Sequence, residues 1–422
     1  MIQMIPRPVG RREETMRILI FSQWYAPEPH AVRVVTLAEG LAGKGHAVTV
    51  VTGFPNTPLG RVYDGYSIAW RTWEKRDGVD ILRLPLYPDH SRSILKRSAN
   101  YLSFTASSMV LGPLLTGRFD VLWAYTALVG VPAVWLAYCK RIPFVMDIAD
   151  IWPETLIATG MFREGLATRF LAGLGNAVYA RAAGLTVQSE GFKTNLIEKG
   201  LPASKLHVVG NAADPAVYRP LPPDPAIGAE YGLDGKFNIM FAGTMGLAQG
   251  LPSLIRAAAL LKDDPRIQFV FIGDGADLDR TKALAAELNT TNVVFVPLQP
   301  AERVASFFSH AGALLVHLKK DPLFAITVPS KTQSSLACGK PILMALDGEG
   351  ARLIEEARAG VACAPDDPAA IALAVRRLAA MPAEERNRLA ENALALFKRR
   401  FTKEVLVDSV EKILEDAAAD RL

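Results

Sequence analysis

The residues best placed to do chemistry sit just after short apolar runs. Val316-His317-Leu318-Lys319-Lys320 ends one such run. Pro329-Ser330-Lys331 then opens a short helical pattern that closes at Cys338-Gly339. Read locally, Ser330 is the N-cap and Gly339 lies just past the C-terminus. Lys331 therefore falls in the first turn, where a cation opposes the helix dipole by about 0.3–1 kcal/mol. A bound diphosphate would remove that conflict and would also use Lys319 and Lys320; the plainer alternative is a solvated lysine. Upstream, Gly243-Thr244-Met245-Gly246-Leu-Ala-Gln249-Gly250 joins an apolar run at 237–242 to a helical pattern from about Leu251. Such a turn offers backbone N–H groups to phosphate, or simply turns the chain tightly. Its spacing matches neither G-x-G-x-x-G nor a Walker A loop. Gly273-Asp274-Gly275 follows the run 267–272, with Asp274 available as a helix N-cap.

Two loops in the first half carry different chemistry. Ser22-Gln-Trp24-Tyr25-Ala-Pro-Glu28-Pro-His30-Ala-Val-Arg33 brings aromatics, a carboxylate, an imidazole and a guanidinium to the end of one run. That mixture suits stacking on a sugar and reading its hydroxyls, or makes a structured loop with a satisfied His30. Asp147-Ile-Ala-Asp150-Ile-Trp152-Pro-Glu154 sets three carboxylates beside a Trp. These could supply a base or bind hydroxyls, or cap the following helix.

The elements that position these loops alternate along almost the whole chain. Apolar runs near 17–22, 46–52, 80–84, 120–125, 143–148, 184–188 and 206–210 predict strands, as do those near 237–242, 267–272, 293–296, 313–318, 341–346 and 360–364. Their unbroken apolarity predicts parallel sheets covered on both faces, and the intervening helical patterns predict doubly wound α/β architecture. Periodicity lapses at 211–236, where five prolines between Pro215 and Pro225 read as a linker. Tyr101–Leu115 is too short and too polar to span a bilayer and reads as a buried or interfacial helix. Val405–Leu422 reads as an amphipathic helix able to pack back on the first half.

Composition narrows the class. The 422 residues are half apolar and carry a formal charge of +4, which excludes a disordered chain and lacks the dense basic stripe of a nucleic-acid binder. Cys139, Cys338 and Cys363 lie far apart, without C-x-x-C or H-E-x-x-H, so neither a disulfide framework nor a zinc site is expected. Residues 1–15 lack the apolar core of a signal peptide and read as a disordered lead-in before Met16.

Taken together, these residues resemble the GT-B glycosyltransferases of family 4, the retaining nucleotide-sugar enzymes also called group 1, from Met16 to about Phe401. Gly45-His46-Ala-Val-Thr-Val-Val-Thr52, Val187-Gln-Ser189-Glu190-Gly191 and Val208-Val-Gly-Asn211-Ala-Ala-Asp214 carry the likeness. Pro55-Asn-Thr-Pro58, Asp150-Ile-Trp-Pro-Glu154 and Pro329-Ser-Lys331 are similar to a branch of bacterial fucosamine-type transferases of O-antigen and exopolysaccharide synthesis. The resemblance implies two Rossmann-like doubly wound domains facing across a cleft: an acceptor-binding domain at 16–211 and a nucleotide-sugar-binding domain at 212–400, with 401–422 as a C-terminal helix. The family's Glu-x7-Glu pair falls on Ile326 and Ser334, which leaves a Ser hydroxyl or Gln333 to hold the donor ribose. The family's phosphate-loop Arg and Lys fall on Thr244 and Gln249, and its His after the fifth strand falls on Asp150.

What the resemblance implies for function is retaining transfer of a sugar from a UDP-linked donor to a saccharide on a lipid diphosphate carrier. The sugar expected is an N-acetylated amino or deoxyamino sugar. Asp150, Glu154 and Lys331 are the implied catalytic residues. Donor binding falls to Gly243, Thr244, Met245, Gly246, Gln249, Gly273, Gly275, Pro297, Leu298, Lys320, Thr327, Val328, Pro329, Ser330, Gln333 and Ser334. Acceptor binding falls to Trp24, Tyr25, Glu28, His30, Arg33 and Arg97. No cofactor or metal is implied, because fixed cations serve the diphosphate, and no nucleic-acid partner. Arg92, Lys96 and Arg97 ahead of Tyr101–Leu115 suit an anionic membrane surface, hence a cytoplasmic protein at the inner face of the plasma membrane. Two other classes stay open: a nucleotide-sugar epimerase of the same fold, and a non-catalytic nucleotide-sugar-binding subunit.

Overall fold

The structure, a computed structural model, describes residues 15–91, 93–152, 154–155 and 165–419. Most of the expected lead-in at 1–15 lies outside these residues, as do Arg92 and Pro153. The first sheet contains β1 (Arg17–Phe21), β2 (Ala47–Gly53), β3 (Thr72–Arg76), β4 (Val79–Leu84), β5 (Val121–Tyr125), β6 (Phe144–Ile148), β7 (Gly184–Val187) and β8 (Leu206–Val208). Its order is β3-β4-β2-β1-β5-β6-β7-β8. The second contains β9 (Phe237–Ala242), β10 (Ile267–Ile272), β11 (Val293–Val296), β12 (Ala311–His317), β13 (Ile342–Ala345) and β14 (Gly360–Cys363), in the order β11-β10-β9-β12-β13-β14. Every strand expected from the apolar runs is present, nearly at its expected ends. β1 pairs in parallel with β2, Arg17 opposite Ala47 through Phe21 opposite Val51.

The unbroken apolar runs have the predicted cause. In the second sheet, Ile239, Phe241, Phe269, Phe271, Ala313, Leu315 and Leu343 pack into one core layer. Their neighbours Met240, Val270, Ile272, Leu314, Val316, Ile342 and Met344 pack into the other. Alternation sends successive side chains to opposite faces, and both faces are dry.

Two features differ from the sequence reading. β3 was not expected, because Thr72-Trp-Glu-Lys-Arg76 has no apolar run. It pairs antiparallel with β4 at the sheet edge, through the two-residue connection Asp77-Gly78. Both connecting residues are left-handed (φ 49° and 80°), as a type I′ hairpin requires. Glu74 on β3 accepts from Arg83 Nε at 2.8 Å. Arg83 is otherwise buried and donates to the carbonyls of Gly53 and Ala26. The second correction falls in the proline-rich stretch, which holds a helix, Pro225–Tyr231. Asp224 caps it by accepting from Ala226 N, and proline at the first position suits a helix start.

The chain divides into two compact units, residues 1–145 with 414–422, and residues 146–413. In the first, the helix over Tyr101–Leu115 begins earlier than expected, at Ile94, capped by Ser93. Among the described residues no helix is long and apolar enough to cross a membrane.

Candidate functional site

In the second unit, the loops after β9 and β10 close on each other through glycine. Gly273 (φ +141°) lies so near Gly243 that a Cβ there would stand 2.1 Å from the Gly243 carbonyl oxygen. Gly275 approaches Met245 in the same way. Met245 N donates to Asp274 O, and Met245 O accepts from Asp277 N. Met245 is fully buried, so it joins the two loops and presents nothing outward. Gly243 and Thr244 are exposed. Asp274 does not cap a helix; its carboxylate accepts from Gly275 N, and Asp277 stands at the N-cap position. Gly273, Phe295, Pro297 and Leu298 line a pocket of about 410 Å³.

Lys331 reaches this turn from below. Its Nζ donates to Gln249 Oε1 at 2.7 Å, lies 3.7 Å from the centre of the Phe241 ring and stands beside Gly243. No carboxylate pairs with it among the described residues. Burial pushes its pKa down to about 7, because desolvation disfavours the charged form. Lys331 begins the helix Lys331–Ala337, and Gly339 (φ +60°) terminates it as expected. Ser330 occupies the N-cap position without capping: its backbone is already helical and its side chain makes no cap bond. The Gln333 amide, buried, donates instead to the Pro329 and Ser330 carbonyls at 3.1 and 2.7 Å. Ser334 Oγ donates to Lys331 O, and Thr327 Oγ1 to Leu323 O. Gln333 and Ser334 thus hold the turn itself, and neither presents a side-chain group as strong as a carboxylate where the ribose was expected. Val328 and Pro329 are buried, while Lys320 is exposed and donates its backbone N–H to Asp366 Oδ2.

Two residues given no role in the sequence reading organise this end of the sheet. His317, fully buried at the end of β12, bonds Gln249 O through Nδ1 (2.6 Å) and accepts from Asp366 N at Nε2 (3.2 Å). That pattern makes it a neutral ring with its proton on Nδ1, and burial lowers its pKa accordingly. Asp366 also accepts from Ser253 Oγ and from Lys320 N. The loops of Lys320 and Asp366 and the first turn of the helix Leu251–Ala259 therefore meet at one carboxylate. The only sequence signal was Asp366-Asp367-Pro368, which marks a helix start and nothing more.

Asp150 and Glu154 follow β6. Asp150 is exposed, yet the protein around it raises its carboxyl pKa by desolvation. Glu154 pairs with Lys199 Nζ at 2.6 Å. Nearby Tyr179 is buried, its phenol raised by burial and then by Glu154 and Asp150.

In the first unit, the loops after β1, β2 and β4 assemble a polar cluster. Glu28, buried, accepts from Asn56 N and Thr57 N at 2.9 and 2.8 Å, and burial raises its pKa against those bonds. Trp24 Nε1 donates to Thr57 Oγ1 at 3.1 Å, and the same oxygen lies 2.7 Å from His90 Nε2. His30 is exposed and Arg97 half-buried. Tyr25 and Arg33 are buried, which leaves Tyr25 as core. Thr57 entered the sequence reading only within Pro55-Asn-Thr-Pro58, without a role of its own, and His90 was not singled out, because it is an isolated polar residue in a loop.

Two α/β sheets of this kind, parallel but for the edge strand β3, with glycine turns leading from strand into helix, define the GT-B glycosyltransferase architecture. The chain belongs to the group 1 glycosyltransferases: residues 30–212 match the glycosyl transferase 4-like domain and residues 226–396 the glycosyl transferases group 1 domain. It is 29% identical over 345 residues to the putative colanic acid biosynthesis glycosyl transferase WcaI of Escherichia coli K12, covering 77% of this chain and 82% of that one. It is 30% identical over 242 residues to the probable glycosyltransferase WbjE of Pseudomonas aeruginosa, covering 56% and 60%. Among solved structures, Anabaena Alr3699/HepE in complex with UDP-glucose is similar with a TM-score of 0.71 at 17% identity, over 95% of this chain and 100% of that one. The chain is therefore a transferase, not an epimerase.

Proposed function

We propose that the chain takes a sugar from a UDP-linked donor and passes it, with retained configuration, to a saccharide on a lipid diphosphate carrier in cell-surface polysaccharide synthesis. Residues 212–400 serve as the donor half and 16–211 as the acceptor half. The observation that carries this reading is Lys331. A part-buried ammonium faces the exposed Gly243-Thr244 turn with one neutral side-chain partner, Gln249, a placement that favours an arriving diphosphate. Names among the relatives support the polysaccharide setting, and the UDP-glucose in the Anabaena structure supports the donor. The pocket at Gly273, Pro297 and Leu298 suits the nucleotide base.

In the reaction, the acceptor hydroxyl oxygen bonds to the anomeric carbon as the bond from that carbon to the β-phosphate oxygen breaks on the same face. The hydroxyl proton passes to the departing diphosphate. Lys331 stabilises the charge that develops there, and Asp150 orients the reacting hydroxyls. Glu154, paired with Lys199, holds the Asp150 loop. The sugar is an N-acetylated amino or deoxyamino sugar, as in the fucosamine-type branch. Fixed cations make a metal ion dispensable.

The helix Ile94–Leu115 exposes Leu95, Leu102, Val110 and Leu114, and the helix Gly130–Lys140 exposes Trp135 and Tyr138. These suit peripheral contact with the inner face of the plasma membrane.

Calorimetric titration of UDP into the wild type and Lys331→Ala, with chelator present, tests the donor reading. Wild-type binding that weakens roughly ten- to hundredfold in the variant is expected, as for loss of a charge-assisted hydrogen bond of about 1.5–3 kcal/mol. Equal affinities would remove Lys331 from the donor site. Dependence on added Mg²⁺ would overturn the fixed-cation account.

A further inference from the structure

The end of β12 grips the glycine turn of the second unit from behind, at two successive carbonyls. Lys319 N donates to Ala248 O at 2.9 Å, and His317 Nδ1 donates to Gln249 O at 2.6 Å. Both carbonyls belong to the short 3₁₀ helix Leu247–Gln249. A carbonyl can only accept and a backbone N–H can only donate, so the ring of His317 has one orientation that satisfies both Gln249 O and Asp366 N. Gly250 lets that ring lie against the turn. It is left-handed (φ +55°), and a Cβ there would stand 2.7 Å from His317 Cε1 and 2.9 Å from Asp366 Oδ1. His317 is fully buried and pairs in register with Ala345 of β13, so the frame of the grip is the sheet itself. What this frame holds out is the Gln249 side chain. Its Oε1 is the hydrogen-bond acceptor of the Lys331 ammonium, whose other neighbour is the face of Phe241. Lysine is a flexible stem with a point charge at its tip, and an amine held by one hydrogen bond is placed only as well as its acceptor is. The neutral ring fixes that acceptor without adding a charge beside Lys331. The carboxylate of Asp366 is taken up by Ser253 Oγ and Lys320 N, so it does not stand in for the diphosphate.

We infer that His317 is a positioning residue for the donor diphosphate: oriented by Asp366 N, it fixes the Gln249 carbonyl and, through the Gln249 side chain, sets where Lys331 meets the phosphates. This rests on the donor reading of Lys331 proposed above and adds what places that amine. His317 acts through Gln249 and not on the donor itself.

Two substitutions in the full chain divide the bonds of the ring. His317→Asn keeps a side-chain N–H at the place of Nδ1, and His317→Gln keeps an acceptor at the place of Nε2. With isotope-labelled lysine, the methylene beside the Lys331 amine is followed by NMR. It lies over the Phe241 ring, whose ring current sets its signal apart, and Lys331→Met identifies it by loss. The signal is expected to stay in His317→Asn and to move to the ordinary lysine position in His317→Gln and in Gln249→Met. UDP affinity, by calorimetry with chelator present, should fall about fivefold or more in His317→Gln and less than about twofold in His317→Asn. Added to Gln249→Met, where the link is already cut, His317→Gln should weaken UDP no further. Equal losses of affinity in the Asn and Gln variants, in step with a lowered Tm, would make His317 a packing residue and overturn the inference. A lysine signal unmoved by His317→Gln, or additive losses in the double variant, overturn it too. Should His317→Gln fail to fold, the signal has to stay in His317→Asn and move in Gln249→Met, and any other pattern overturns the link. Failure of UDP to bind the wild type would strike the donor reading instead, and the lysine signal then decides by itself whether His317 places Lys331.

Discussion

Lys331 holds opposing demands on one side chain. The fold desolvates its ammonium beside Phe241 and gives it one neutral hydrogen-bond partner, so the charged form is disfavoured until an anion arrives. Its pKa in the folded protein is about 7, whereas an unfolded lysine keeps about 10.4. Between those values the unfolded chain holds more protons, so stability rises with pH across the window, and the cost is fully present below about pH 7. Lys331→Met should therefore melt at a higher temperature than wild type at pH 6.5, with the gap closing by pH 10, while losing UDP affinity. Binding shows the opposite slope. A diphosphate favours the protonated amine, so UDP affinity should fall from pH 7 to pH 9, above phosphate's own ionisation near pH ~6. The same titration on Lys331→Met should be flat. A wild-type profile without slope would mean that Lys331 keeps its proton in the free protein.

At the scale of elements, the strand-end loops depend on residues whose importance is conformational. Gly273→Ala would drive a Cβ against the Gly243 carbonyl at a positive φ. It should destabilise the protein by about 2 kcal/mol or more and abolish UDP binding, read by urea denaturation and calorimetry. Preserved stability would show that the two loops can part. Such contacts explain which features were legible in the sequence. The parallel strands were, because burial on both faces forces continuous apolar runs such as Phe269-Val-Phe-Ile272. Strand β3 was not, since an edge strand buries little, yet its Asp77-Gly78 turn was a readable signal passed over. The seat of Lys331 was visible as a cation at the wrong end of a helix. Its neighbours were not, because Gln249, His317 and Asp366 meet only once three separate loops are folded together. The capping role expected of Ser330 failed because Pro329 and Ser330 continue straight into the turn that Gln333 ties back.

For the whole molecule, the exposed apolar residues of Ile94–Leu115 and Gly130–Lys140 give the membrane proposal a direct check. The wild type should float with anionic vesicles, and Leu102→Ser with Val110→Ser should reduce that fraction severalfold while UDP affinity is kept. Flotation unchanged by these substitutions would move the contact elsewhere. The hairpin at the first sheet's edge has a separate consequence, for how copies of the chain treat one another. An open strand is a template on which a second chain can add its own backbone. Here that template is Thr72–Arg76, where Lys75 and Arg76 stand exposed and Glu74 is fastened to Arg83. Two like strands would bring these charges together at every attempt. Lys75→Thr with Arg76→Val should therefore leave the enzyme folded and able to bind UDP, but make concentrated solutions scatter light and precipitate on standing. Solubility, on this view, resides in a short ribbon at the edge of the first sheet.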